Sequence, residues 1–259
     1  MLLHTKKSNS IYSGCGNVFV LCDARDTPYP LDDRLATQKL CRDLRVDGVI
    51  ILNDSTVADF KMTILNADGG EAEMCGNGLR CLGKFIKDLG ISGSSFRIET
   101  ACSILKLSIE GELVCAEMPT PHSFQWNLLV PEKVHFLNTG VPHVVYFVDD
   151  INEIDLATLG KRLRYHPTFS PDGANINIAT IEKNKVFIRT YERGVEGETQ
   201  ACGTGATAAA LAASYLHGLP PPVTVQVASK EEIIIDFDHK RDSFQNVTMM
   251  GTAKKLGSY

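Results

Sequence analysis

One short pattern occurs twice in this chain. The first copy reads Glu71-Ala-Glu-Met-Cys75-Gly-Asn-Gly78 and the second Glu198-Thr-Gln-Ala-Cys202-Gly-Thr-Gly205. In both, a glutamate stands four residues before a cysteine, and the cysteine opens a Cys-Gly-x-Gly run. The copies lie about half a chain apart, and 259 residues suffice for two domains of ordinary size. The repeat therefore constrains the fold to two related domains, each delivering one thiol.

The surrounding pattern repeats as well. Short β-prone runs cover 17–22, 48–52, 60–65, 96–100, 104–109 and 113–118 in the first half. In the second half they cover 144–148, 176–181, 186–191, 223–227 and 232–237. Helical periodicity is confined to four segments. Two, 32–44 and 154–164, are amphipathic, with polar faces that should meet water. The other two, 76–89 and 203–216, begin at the cysteine motifs. The last carries no charge on any face, and a helix that is apolar all round is buried. These elements predict an α/β (α+β) fold of two pseudo-symmetric domains, each a curved, mainly antiparallel sheet wrapped around a central helix. A proline-rich passage starting with Pro119 and Pro121 sets the boundary. The expected domains are 1–118 and 119–246, with the tail 247–259 able to return to the first.

Composition narrows the function classes. A net charge of −5 with no basic stripe argues against a general nucleic-acid or anionic-membrane binder. No apolar run reaches the ~18 residues that span a membrane. Lys6 and Lys7 are not followed by the apolar stretch of a secretory signal. The eight cysteines are dispersed and form no Cys-x-x-Cys pair, which reads as reduced thiols in a cytoplasm. Cys75 and Cys81 are spaced too widely for a zinc knuckle, so no metal is expected. Neither glycine run carries the Lys-Ser/Thr ending of a phosphate loop or the full Gly-x-Gly-x-x-Gly, so no nucleotide cofactor is expected either.

A cysteine immediately before a helix sits where unpaired backbone N–H groups and the helix dipole favour a thiolate. Gly-x-Gly leaves those N–H groups open to a carboxylate. Two such termini serving one substrate would grip its carboxylate and flank the neighbouring carbon with two sulfurs. A thiolate on one face could then remove the α-proton while a thiol on the other returns one, inverting the centre without a cofactor. The helix ends would stabilise the charge that develops.

At these residues the chain resembles the diaminopimelate epimerase family, whose members interconvert LL- and meso-diaminopimelate without pyridoxal phosphate. The stretches Asn66–Cys81 and Glu192–Ala206 are similar to that family's two motifs, the second with one extra residue between Arg193 and Glu198. Gly14-Cys-Gly-Asn17, Gly140-Val-Pro-His143 and Gly173-Ala-Asn-Ile-Asn177 fit too. The resemblance implies an isomerase of lysine biosynthesis and peptidoglycan precursor supply, with Cys75 and Cys202 as the acid/base pair. It implies that the N–H groups of Gly76, Asn77, Gly203 and Thr204 hold the α-carboxylate. Asn17, Asn66, Asn175, Glu192 and Arg193 would bind the rest of the amino acid. His143 would assist protonation at the thiols, and Glu192 also belongs to the catalytic set. A small-molecule amino acid is the expected partner, with a homodimer possible.

Three positions depart from the family pattern. Val18 stands where the family usually has Asp, Gly48 where Gln is usual, and Val141 where Asn is frequent. The losses at Gly48 and Val141 imply weaker hydrogen bonding around the substrate, with glutamate as a second substrate. Proline-type relatives usually carry Cys-Gly-His-Gly at the first thiol, and Asn77 disfavours them. A thiol redox sensor is the competing non-enzyme reading.

Overall fold

The computed structural model describes residues 9–31, 33–72, 75–240 and 243–258. The chain divides into two compact units, Met1–Ala116 with Gly251–Tyr259, and Glu117–Met250.

In the first unit the elements are β1 (Ser10–Gly14), β2 (Asn17–Asp23), α1 (Arg34–Leu44), β3 (Gly48–Asn53), β4 (Phe60–Asn66), β5 (Glu71–Ala72), α2 (Gly76–Asp88), β6 (Ser95–Glu99), β7 (Ile104–Glu110) and β8 (Leu113–Glu117). The last strand of the chain, Lys254–Ser258, pairs antiparallel with β1. From there the sheet continues β1–β2 antiparallel, β2–β3 parallel, β3–β4 antiparallel, β4–β6 parallel, then β6–β7 and β7–β8 antiparallel. The sheet wraps α2. Leu79, Leu82, Phe85 and Ile86 recur at helical spacing and are buried among Tyr12, Phe19, Ile50, Ile98 and Leu107 from the strands. Burying side chains of this size contributes about 1.5–3 kcal/mol each. Strands β2 and β3 are buried on both faces: Val20, Cys22, Val49 and Ile51 point the other way, toward Cys41 of α1. Asp33 caps α1 by accepting the Ala36 N–H. The expected start of that helix at Asp32 lies outside the described residues.

The second unit repeats this order. It holds β9 (His122–Leu129), β10 (Lys133–Asn138), β11 (Pro142–Phe147), α3 (Leu156–Arg164), β12 (Asn175–Glu182), β13 (Lys185–Glu192), β14 (Gly197–Thr199), α4 (Gly203–His217), β15 (Val223–Gln226), β16 (Glu232–Lys240) and β17 (Ser243–Thr252). Its pairings run antiparallel for β9–β10 and β10–β11, parallel for β11–β12, antiparallel for β12–β13, parallel for β13–β15 and antiparallel to β17. Strand for strand, this is the sequence of pairings in the first unit, with α3 matching α1 and α4 matching α2. The strands β10–β13, β15 and β16 surround α4. Six of its fifteen residues are alanine and two are glycine, so the strands approach its backbone closely. Leu156 and Leu163 of α3 cover the outer face with Val144, Ile176, Ile178 and Tyr191.

The two cysteine helices begin where expected. Strands β9 and β10 follow the boundary that the prolines set, and they, β1, β17 and Lys254–Ser258 (which we label β18) had no clear sequence signal.

Candidate active site

Cys75 is the N-cap of α2, with φ −143° and ψ 111°, and its Sγ accepts the Gly78 N–H at 3.3 Å. Cys202 is the N-cap of α4, with φ −129° and ψ 109°, and its Sγ accepts the Gly205 N–H at 3.4 Å. The two thiols thus hold the same capping position, in the role that serine or aspartate usually fills. In each helix the N–H groups of the first two residues precede the first intrahelical bond and point out of the helix end. Those residues are Gly76 and Asn77 in α2, and Gly203 and Thr204 in α4. Cys75 is half-buried and Cys202 buried. Glu73 and Met74, just before the first thiol, lie outside the described residues.

Around Cys75 a line of polar groups runs through the first unit. Strands β1 and β2 meet in a two-residue turn in which Cys15 (φ 53°) and Gly16 (φ 91°) both take left-handed backbones, the conformation that matches strand twist in a tight hairpin. The turn buries the Cys15 side chain and brings Asn17 to the head of β2. Asn77 donates from Nδ2 to Asn17 Oδ1 at 2.7 Å, and Asn17 in turn donates to Asp47 Oδ2 at 3.4 Å. Asp47 also accepts the Val18 N–H at 2.7 Å. Behind Asn77, Arg80 is wholly buried. Its guanidinium donates to Asn77 Oδ1 at 2.6 Å, to Cys15 Sγ at 3.2 Å and to the Thr252 carbonyl at 3.3 Å. Its Nε has no hydrogen-bond partner among the described residues. Asn66 ends β4 and is exposed, at a turn closed by its own carbonyl accepting from Gly69 N–H at 2.9 Å.

The second unit carries His143 on β11, Asn175 at the head of β12, Glu192 at the end of β13 and Arg193 just after it. Cys202 Sγ lies 3.4 Å from Thr204 Oγ1, and the Thr204 carbonyl accepts from Thr139 Oγ1 at 2.9 Å. Asn175 Oδ1 accepts the Arg193 N–H at 2.8 Å, tying the head of β12 to the loop after β13. Glu192 accepts from Thr199 Oγ1 at 2.5 Å. The loop is closed by Glu196 N–H donating to the Glu192 carbonyl at 2.8 Å and by the Arg164–Glu196 ion pair at 3.3 Å. His143 is fully buried on β11 and lies 3.1 Å through Nδ1 from Asn177 Nδ2. Burial, and then the Arg193 charge, push its imidazole down to about 3, so the ring is neutral at physiological pH. Asn177 also donates to the Val144 carbonyl at 2.9 Å and accepts from Thr190 Oγ1 at 3.0 Å.

Sequence reasoning missed Arg80, Cys15, Asp47, Asn177 and Thr190. Two of them carried a signal. Asn175-Ile-Asn-Ile places two amides at period two on one face of an otherwise apolar strand, and Arg80 interrupts the apolar run Leu79-Arg-Cys-Leu82.

The Bacillus anthracis phenazine biosynthesis protein of the PhzF family has a similar fold, with a TM-score of 0.76 at 17% identity, covering 97% of this chain and 97% of that one. In sequence, the chain is 37% identical to the diaminopimelate epimerase of Aquifex aeolicus over 264 residues, 94% of this chain and 93% of the relative. It is 36% identical to that of Chlamydia muridarum over 262 residues, 96% of this chain and 94% of the relative. The family described as diaminopimelate epimerase matches residues 9–120 and 135–256, a span that takes in both cysteine motifs. The chain belongs to the diaminopimelate epimerase family.

Proposed function

We propose that the protein is an isomerase that converts LL-2,6-diaminopimelate to meso-diaminopimelate, through two thiols and without a cofactor, in the supply of lysine and peptidoglycan precursors. The observation that carries the reading is the equivalence of Cys75 and Cys202. Both cap the helix enclosed by their sheet, and each holds its sulfur against the N–H three residues on. The reading requires both thiols to serve one α-carbon. One, as thiolate, takes the α-proton. The electron pair left on carbon delocalises into the α-carboxylate, which the N–H groups of Gly76, Asn77, Gly203 and Thr204 hold. The other thiol gives its proton to the opposite face. No atom or electron is lost, and the two thiols have exchanged protonation states. Asn17, Asn66, Asn175, Glu192 and Arg193 bind the remainder of the substrate, and His143 and Glu192 assist at the thiols.

The enzyme acts in the cytoplasm and as a homodimer in this reading. The eight cysteines are dispersed along the chain with no Cys-x-x-Cys pair, which supports a reducing compartment, and light scattering tests the dimer. Among the described residues no helix is long and apolar enough to cross a membrane.

The test is α-proton exchange in deuterated solvent. Wild-type protein should incorporate deuterium into LL-diaminopimelate and produce the meso isomer. Cys75→Ala and Cys202→Ala should each abolish epimerisation, whereas Cys22→Ala and Cys115→Ala should not. Epimerisation at the wild-type rate in either of the first two variants would reject the two-thiol reaction. Absence of exchange in the wild type, with reversible oxidation of the thiols, would favour a redox sensor.

A further inference from the structure

His143 enters the proposed function only as an assistant to the thiols, yet its surroundings define which nitrogen carries the proton. The key is the Asn177 amide. Its group 2.9 Å from the Val144 carbonyl must be the NH2, because a carbonyl only accepts. The Thr190 hydroxyl fits the opposite end, donating to Oδ1 at 3.0 Å. The amide orientation is therefore settled by neighbours other than the histidine. The second hydrogen of the NH2 then meets His143 Nδ1 at 3.1 Å, and Nδ1 must present a lone pair. A neutral imidazole with a bare Nδ1 carries its hydrogen on Nε2. Burial keeps the ring neutral, as described above.

That Nε2 is buried and has no hydrogen-bond partner among the described residues. Buried donors are nearly always satisfied, so this one calls for an acceptor from water or from a bound molecule. The other side of Asn177 is equally constrained. Its Oδ1 lies against the first turn of α4, where a Cβ on Gly205 would come within 2.3 Å of it. Gly205 is also the residue whose N–H is donated to Cys202 Sγ. Asn177 thus stands between the imidazole and the turn that holds the second thiol.

We propose that Asn177 fixes His143 as the Nε2–H tautomer, so that His143 serves the site as a hydrogen-bond donor and not as a proton acceptor. Asn177 is a positioning residue, acting through the ring. The acceptor is an oxygen of the bound amino acid or a thiolate sulfur, and no proton leaves the imidazole during turnover. The inference rests on the reading of His143 as part of the epimerase site.

The test begins with wild-type protein labelled with 15N in its histidines. Long-range 1H–15N ring correlations should show His143 protonated at Nε2 and bare at Nδ1, unchanged between about pH 8 and about pH 5. A proton on Nδ1, or a ring that titrates in that window, would overturn the proposal. Asn177→Asp offers Nδ1 only acceptors, so the ring proton should move to Nδ1. Exchange should then fall by roughly 10²-fold or more in kcat, with KM changed by less than about threefold. An Nε2–H ring persisting in that variant would remove Asn177 from the role. His143→Gln keeps an amide N–H near the Nε2 position and cannot take up a proton. It should retain exchange within about tenfold of wild type, the worth of one imperfect hydrogen bond, while His143→Leu loses more. Equal loss in both would mean that the ring acts as a base. The ring spectra need no substrate. An Nε2–H spectrum in a protein that exchanges no diaminopimelate would overturn the reaction and still uphold the role of Asn177.

Discussion

Asn177 and Gly205 touch so closely that a single methyl group on residue 205 would lie 2.3 Å from the Asn177 amide oxygen. The contact joins a central strand to the first turn of α4. Gly205→Ala must either push that turn away or rotate the amide out of its bonds to His143, Val144 and Thr190. We expect a loss of about 1–3 kcal/mol in urea denaturation, the usual cost of overpacking. Proton exchange should fall as well. Gly197→Ala, where nothing lies within 4 Å of the new methyl, should be close to neutral in both assays.

Arg80 spans three acceptors that come from three parts of the first unit: the hairpin turn at Cys15, the first turn of α2 and Thr252, the last residue of β17, where the chain has returned to that unit. A lysine places one ammonium where a planar fork served all three. Arg80→Lys should cost about 2 kcal/mol or more, since buried hydrogen bonds to a charged group are worth about 1.5–3 kcal/mol each. Asn77 and Asn17 lose their anchor in the same variant. If they bind substrate as proposed, KM for diaminopimelate should rise. A KM at the wild-type value would detach this network from the substrate.

The depressed imidazole of His143 gives stability a pH dependence of definite sign. In the unfolded chain the ring titrates near its ordinary value of 6.5; in the folded protein it resists protonation down to about 3. Between these values the unfolded chain binds the extra proton, so stability is full above the unfolded value and falls as pH drops through the window. From pH 7 to pH 5 this one group should remove about 2 kcal/mol. His135, pushed down to about 4 by burial and then by Lys133 and His217, acts in the same direction. Urea denaturation at the two pH values should show a smaller difference in His143→Gln than in wild type, and an equal difference would contradict the burial of a neutral ring.

Gly48 is a close approach and not a gap. An ideal Cβ there would lie 2.4 Å from the Leu65 carbonyl oxygen across β3 and β4. Restoring the glutamine usual in the family would force these strands apart, so Gly48→Gln should lose stability, by about 1–3 kcal/mol, and not recover specificity. The relaxed substrate range inferred from Gly48 and Val141 is checked directly: L-glutamate should show slow α-proton exchange in the wild type. No detectable exchange far above the concentration that saturates diaminopimelate would make these departures silent.

The sequence revealed most of what repeats and little of what is irregular. The strand–loop–cysteine–helix unit was visible because the motif, the preceding strand and the apolar helix all recur. Strand β9 was not, because Ser123 (φ 58°) and Asn127 (φ 59°) take left-handed backbones inside it and its register against β10 shifts twice. Each bulge breaks the alternation on which strand reading depends. The two thiols were legible from local chemistry alone. The residues that hold His143, Asn77 and Asn17 in place were not, since a buried amide or guanidinium shows its purpose only through neighbours far away in sequence. Arg80 and Thr252, or Asn177 and Gly205, become related only when strands and helix are assembled.

The alanine composition of α4 has a further consequence. Ala206, Ala208, Ala209, Ala210, Ala212 and Ala213 are all buried, and none has a rotamer to change. The helix that carries Cys202 has little side-chain slack with which to absorb an enlarged neighbour. Leu82, Phe85 and Ile86 of α2 can repack; a methyl cannot. In a saturation library the two cysteine helices should therefore differ, with size changes at Leu82, Phe85 and Ile86 absorbed by repacking and those at the alanines of α4 transmitted, through its backbone, to the sulfur at its end.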